Sequence, residues 1–326
     1  MKHLVRMMRM MGMGGGIAFA MLAGPLLAQE WPVRPVRVIV NVAPGGVADI
    51  VARLLAPALG ESLRQPFVVE NRAGGDGLIG IEVVARADPD GYTICMSPGS
   101  SIVITPHLAA RKDLDPLEVL SPIAPSVKST QYLVVHPSSP AKSLEEFMAL
   151  AKKSTRMNYG SAGTGTGLHI SAELFRREVG FEAAHIPYKG AGPALNDLLG
   201  AQFDFMFDPG SGVGAIKGGK LRLLAVTGTQ RHPDYPDTPT FDERGIRSVD
   251  GGTYFGFYAT KGTPVAIVQR LNAEIARAVQ LPESRKRFDT MGAQIGVMSA
   301  AEFGTYVRVE SERYAKLIRE FGIRKD

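Results

Sequence analysis

Apolar β-branched runs and helix-period segments take turns along almost the whole chain, and this alternation limits the fold more than any other feature. The run 36–42 breaks at Pro44-Gly45-Gly46, after which Val47, Ile50, Val51, Leu54, Leu55 and Ala58 recur at helical spacing. Segment 66–70 reads as a strand, 79–87 as a short helix, Asp88-Pro89-Asp90-Gly91 as a turn and 92–97 as a strand. The middle repeats the pattern. A strand at 131–136 leads to a helix opened by the capping box of Ser143 and Glu146. A short strand at 157–159 precedes a helix whose buried face carries Leu168, Ala172, Phe175 and Val179. Segment 183–187 leads to a helix with Pro193 in its first turn, ending at Gly200. Strands follow at 203–208, 221–226 and 255–260. Thr263 and Pro264 open a helix bearing Val265, Val268, Leu271 and Ile275, and Ser299 with Glu302 caps a last long helix that stops at Gly322. Alternating β and α elements predict an α/β fold with parallel sheets covered by helices.

The N-terminus sets the expected compartment. Lys2, Arg6 and Arg9 stand without an acid in residues 1–9, an apolar Gly-rich run fills 10–27, and Ala28 precedes Gln29 and Glu30. These are the parts of an export signal, so residues 1–28 are expected to be cleaved and the rest to lie in the periplasm. A membrane anchor is disfavoured, because Gly12, Gly14, Gly15, Gly16, Gly24 and Pro25 interrupt a run barely long enough to span. The signal also accounts for most of the basic excess. Of 37 Lys and Arg against 32 Asp and Glu, removing Lys2, Arg6 and Arg9 leaves 34 against 32, without basic blocks. A nucleic-acid partner is therefore not expected. The single cysteine, Cys95, lies in an apolar run and reads as a buried thiol. The roughly 300 exported residues suffice for two domains.

Two loops carry the candidate chemistry. Ala43-Pro44-Gly45-Gly46 sits where a strand meets a helix, with Asp49 in the first helical turn. Glycines there let backbone N–H groups approach a ligand, and the helix N-terminus favours an anion. Gly45-Gly46 also fits a tight connection, and Asp49 fits a helix-dipole partner as well as a ligand contact. The stretch from Tyr159 to Gly167 is the second loop, again between strand and helix. Its hydroxyls and amides suit a carboxylate, although such stretches also serve as flexible loops. If the two halves of the chain face each other, both helix N-termini converge on one cleft, and an anion such as a dicarboxylate closes it. Asp208 ends the apolar run 203–208, and reads either as a recogniser of a ligand ammonium or hydroxyl or as a turn former before Pro209.

The enzyme readings are weaker. Gly75 to Gly80 matches G-x-G-x-x-G, but Asn71 and Arg72 intervene after the strand and the next strand ends at Ser97-Pro98 instead of an acid. Ser161 has Tyr159 two places before it and so fails the nucleophile-elbow pattern. No P-loop ending is present. His169 and Glu173 lie one helical turn apart without a second ligand pair, and His107, His136, His185 and His232 form no metal-ligand spacing. No metal, cofactor or catalytic set is expected. A hydrolase or transferase using the Ser/Thr-rich loop stands as an alternative of a different class.

Trp31-Pro32-Val33-Arg34, Ala43-Pro44-Gly45-Gly46 with Asp49, Val69-Glu70-Asn71-Arg72, Asp90-Gly91-Tyr92-Thr93, Tyr159-Gly160-Ser161-Ala162-Gly163 and His185-Ile186-Pro187-Tyr188-Lys189-Gly190 add a further argument. Taken in order, these motifs resemble Bug/TctC-type receptors of tripartite tricarboxylate transporters over essentially the whole exported chain. The resemblance implies a periplasmic-binding-protein-like fold of type II, with two α/β domains joined by crossing strands. Residues 29–128 and 227–326 would form the first domain and 129–226 the second. It implies a carboxylate ligand held by Pro44, Gly45, Gly46, Ser161, Gly163, Thr164 and Thr166, with Asp208 at a selectivity position. A monomeric receptor that hands its ligand to membrane permease subunits is expected, with a sensor feeding a signalling partner as the alternative. Asn41 and Val42 depart from the Pro and aromatic of the family pattern, and Gly75-Asp76-Gly77 departs from its usual Gly-rich text.

Overall fold

A computed structural model of the chain describes residues 31–108, 113–228, 231–246, 249, 252–320 and 322–324. The export-signal expectation for 1–28 lies outside these residues. Eleven strands form among those described: β1 (Val36–Val40), β2 (Phe67–Asn71), β3 (Thr93–Ser97), β4 (Leu120–Ser129), β5 (Tyr132–Val135), β6 (Met157–Ser161), β7 (Ala183–Pro187), β8 (Phe205–Asp208), β9 (Arg222–Val226), β10 (Tyr254–Thr260) and β11 (Ala293–Ile295). They make two sheets, ordered β11-β4-β10-β3-β1-β2 and β7-β6-β8-β5-β9.

Each sheet is built on the same parallel trio. β1 lies between β2 and β3, and β6 lies between β7 and β8, all parallel. The remaining pairings are antiparallel: β10 with β3 and β4, β11 with β4, and β5 with β8 and β9. The sheets are thus mixed, where the alternating pattern predicts parallel ones. Apart from β11, the extra strands are those at the two passages between the sheets, and β5 and β10, by which the chain enters a lobe, run against its trio. Both sheets are covered on both faces, with side chains alternating between two cores. Val36, Val38 and Val40 pack with the helix Val47–Leu63, while Ile39 faces Ile81, Ile102 and Phe303. In the second sheet Phe205 and Phe207 join Phe147 and Phe175, and Met206 turns to Ala194 and Leu198.

Two crossings join the lobes. The first runs from β4 into β5, where the Gln131 N–H donates to Thr227 Oγ1 at 3.0 Å and the Thr227 N–H to the Gln131 carbonyl at 2.9 Å. The second comes later than the sequence expectation of 227. Val226 pairs with Thr240, and Phe241, Ile246 and Val249 are buried in the core that holds Phe175 and Phe207. The described residues as far as Val249 therefore stay with the second lobe. Apolar burial keeps this segment there, because its three large side chains fill that core.

Candidate functional site

Six loops leave the carboxyl ends of the two parallel trios, and all six reach one cavity of about 620 Å³ between the lobes. From the first lobe come residues 41–44 and 46–48 after β1, 73–77 after β2, and Pro98, Ser100 and Ser101 after β3. From the second come Ala162 and 166–168 after β6, 188–193 after β7 and Pro209 after β8. Ligands of open α/β sheets bind at these ends, in the crevice where the connections diverge. Here two such crevices face each other. The lobes meet closely at the rim: a Cβ built on Gly190 would lie 3.6 Å from the Ala43 Cβ, and one on Gly163 would lie 3.7 Å from Asp76 Oδ1.

The loops end in helix N-termini that leave donors open. Helices Val47–Leu63, Leu78–Ala85 and Ala191–Leu199 are preceded by Gly46, Gly77 and Gly190, none of which supplies a side-chain cap. Only the helix Gly167–Val179 is capped, with Thr166 Oγ1 accepting the His169 N–H at 3.3 Å. The first backbone N–H groups of a helix have no intrahelical acceptor and carry partial positive charge. Four helix N-termini thus meet one cavity. Leu78 and Ile79 already donate to the Gly75 and Gly74 carbonyls in the turn that precedes their helix, so the uncapped ends at Gly46 and Gly190 are the chief seat for an anion, without a buried cation. Lys189 at the exposed lip is the one basic residue in the wall and Asp76 the one acidic residue, among those described.

The model of the tripartite tricarboxylate transporter family receptor, TctC, matches residues 51–323. The chain belongs to this family. The periplasmic binding protein BugD is 32% identical with a TM-score of 0.84, over 91% of this chain and 100% of that one. A protein of R. palustris solved with adipate is 30% identical with a TM-score of 0.86, over 90% and 99%. MatC from Rhodopseudomonas palustris, solved with bound malate, is 30% identical with a TM-score of 0.82, over 88% and 100%. The family is one of periplasmic solute-binding receptors and not of enzymes. Among the described residues no helix is long and apolar enough to cross a membrane, and no group of acids, histidines and cysteine is placed to hold a metal ion.

Within this TctC-type receptor, the residues expected at the ligand divide into wall and support. Pro44, Gly46 and Thr166 line the cavity; Gly45, Asp49, Ser161, Gly163, Thr164 and Asp208 are not in its wall. Asp49 is buried and accepts the Gly45 N–H at 3.0 Å and Arg53 Nε at 2.9 Å, so it shapes the first loop. Asp208 is buried and accepts the N–H groups of Gly210 and Gly212 at 2.8 and 2.9 Å and the Ser211 hydroxyl at 2.7 Å. Its carboxylate builds the turn that sets Pro209 in the wall. Thr166 also donates its hydroxyl to the Gly163 carbonyl at 2.8 Å.

Of the residues expected at the ligand, Ser161 is the one whose geometry resembles a catalytic pair, with Oγ 2.7 Å from His185 Nε2. It is fully buried and accepts the Gly163 N–H at 3.1 Å. The hydroxyl is inside the loop it braces, with no face toward the cavity, so the arrangement serves positioning. His169 lies on the same brace: its ring stacks on His185 at 4.1 Å and its Nδ1 accepts the Gly165 N–H at 3.1 Å. Burial, aided by His185, pushes the His169 pKa down to about 3. Cys95 is buried, which pushes its thiol up to about 12.

Sequence reasoning missed most of the wall. Asn41, Ser100, Ser101, Gln131, Thr253 and the loop 188–193 all line it. Two glycines of the dismissed dinucleotide pattern, Gly75 and Gly77, also belong there, and Gly80 packs behind them. A Cβ on Gly77 would fall 2.5 Å from Asn41 Nδ2 and one on Gly80 would fall 2.6 Å from Asn41 Cβ, so these glycines let the second loop pack onto the first. The available signal was position: Asn41, Ser100, Ser101 and the loop 188–193 follow strands that read as parallel, whereas Gln131 and Thr253 stand at the crossings between lobes, where no such signal exists.

Proposed function

We propose that this protein is an exported receptor that binds a small carboxylate in the cleft between its lobes and delivers it to the permease of a tripartite tricarboxylate-type transporter. One observation carries the reading: four helix N-termini, from both lobes, end on a single cavity. Backbone dipoles of this kind bind a carboxylate strongly and can be shared between the lobes only when the cleft is shut. The wall residues Pro44, Gly46 and Thr166 hold the ligand, with Gly45, Ser161, Gly163 and Thr164 shaping the turns that present them. Asp49 and Asp208 act through the backbones they fix. The adipate and malate bound by the two relatives are acids that fit such a seat.

A thermal-shift screen of mono-, di- and tricarboxylates, amino acids and aromatic acids tests the reading. A cognate acid at a hundredfold excess over Kd stabilises the fold by about 2.7 kcal/mol. Absence of any shift across the acids, or chemical turnover of a hit, would remove it. The mature protein recovered from the periplasm is expected to begin near Gln29, as read by intact mass.

A further inference from the structure

The helix Gly167–Val179 follows β6 of the second lobe, and it is buried on two opposite faces. Leu168, Ala172 and Phe175 pack into the second lobe's core with Phe147 and Phe205. Ile170 and Leu174, one turn apart on the other face, are 0% and 1% exposed. They join the core in which Ile39 faces Ile102 and Phe303, and every other described member of that core belongs to the first lobe. The turn ahead of the helix meets the same lobe. A Cβ on Gly165 would lie 3.0 Å from Leu108 Cδ1 and 3.8 Å from Thr105 Cα. An apolar seam thus joins the two lobes through a helix of the second.

The seam lies behind the ligand cavity. Thr166, Gly167 and Leu168 line that cavity, whereas Gly165, Ile170 and Leu174 do not. Parting the lobes along this line brings aliphatic side chains into water, and full burial of one such chain is worth about tenfold or more in an equilibrium. The seam therefore favours the shut arrangement before any acid is bound. A ligand that binds only the shut form has an apparent Kd equal to its intrinsic Kd divided by the fraction of free protein already shut. Apolar contacts remote from the ligand enter its affinity in this way.

We infer that Ile170 and Leu174 are positioning residues that set the receptor's affinity without touching its ligand, by holding the cleft shut through the first lobe's core. This rests on the receptor reading above and adds what joins the lobes behind the ligand. Because closure is common to every acid, the seam scales all affinities by one factor, unlike a residue of the wall.

Thiol labelling and calorimetry of the exported protein test this. Cys95 is the single cysteine and is buried, so an introduced thiol reports alone. In the free protein, Leu174→Cys is expected to react with a maleimide about tenfold or more faster than Cys95 does in the wild type. Saturation with whichever of malate, adipate, succinate or citrate raises Tm most is expected to slow it about tenfold or more. Ala172→Cys, on the face packed within the second lobe, is expected to stay as inert as Cys95. In calorimetry Leu174→Ala is expected to raise Kd about tenfold, by the same factor for each of these acids that binds, with the change in the off-rate. Should Leu174→Ala fail to fold, Ile170→Val reads the same uniform rise at smaller size. A Leu174→Cys thiol that is inert throughout, one that reacts equally with and without acid, or equal reaction at 172 and 174 would overturn the seam's role. So would a folded variant whose Kd is unchanged or moves differently from acid to acid. If none of the four acids binds, the carboxylate reading falls by itself, and reaction of Leu174→Cys against Ala172→Cys in the free protein still decides the seam.

Discussion

Gly46 and His169 show how single positions divide the labour between contact and support. Gly46 has φ −76°, and a Cβ there meets only Ala43 O at 3.6 Å and Val42 Cγ2 at 3.9 Å, so the backbone accepts any L residue. Gly46→Phe is therefore expected to fold with a near-wild-type Tm yet lose the ligand-induced shift, because its ring takes space at the cavity wall. Retained binding would show that this loop does not hold the ligand. His169 lies behind the wall and reports on the fold. Its native pKa of about 3 is below the unfolded value of about 6.5, so the unfolded chain binds the proton first. This contribution is complete above about pH 6.5 and is lost as pH falls toward 3. Between pH 6.5 and 5 it amounts to about 1.5 kcal/mol. His169→Asn, which keeps an acceptor for the Gly165 N–H, is expected to lose less stability than wild type over that interval in urea unfolding. Parallel acid limbs in the two proteins would reject the assignment. Of these two residues, Gly46 was legible in the sequence. His169 was not, since its burial depends on a stack with His185, sixteen residues away.

Among elements, those with caps and periodic faces were the readable ones. Ser143 Oγ accepts the Glu146 N–H at 3.2 Å, opening the helix Leu144–Lys153 where the capping box predicts it. Ser299 and Glu302 satisfy each other's N–H groups at 2.8 and 3.2 Å ahead of the helix Ala300–Glu320. Ser299→Ala is expected to cost about 1 kcal/mol in denaturant unfolding without changing ligand affinity. The longest strand, β4, escaped the pattern. It contains Pro122 and Pro125, which break a strand reading. Both stand where its register with β10 shifts, so the irregular ladder tolerates their missing N–H groups. The helices Gly99–Val103 and Pro282–Thr290 were also unread, one too short for a periodic face and the other mostly charged. Within β6, Gly160 has the Phe203 ring across it, with a built Cβ only 2.3 Å from Phe203 Cζ. Gly160→Val is expected to destabilise by about 1–3 kcal/mol through overpacking, seen as a lowered urea midpoint.

Across the whole molecule, the loops at Ala43 and Gly190 and at Asp76 and Gly163 stand at contact distance, so this arrangement is a shut cleft. Binding energy shared between lobes then appears as a population shift toward it. Small-angle scattering is expected to give a larger radius of gyration for the ligand-free protein than this arrangement has, falling to it on saturation; a radius unchanged by a stabilising ligand would exclude closure. The alternation of elements, the loops that end strands and the family motifs were written in the sequence, because periodicity, turn chemistry and helix termini are local properties of the chain. Which residues form the wall was decided by tertiary structure. Asp49, Ser161 and Asp208 turned inward because nearby N–H and imidazole groups claimed their oxygens, whereas Asn41, Ser100 and Thr253 came to the cavity from strand ends far apart in the chain. The second crossing was settled in the same way, by the core that had room for Phe241, Ile246 and Val249.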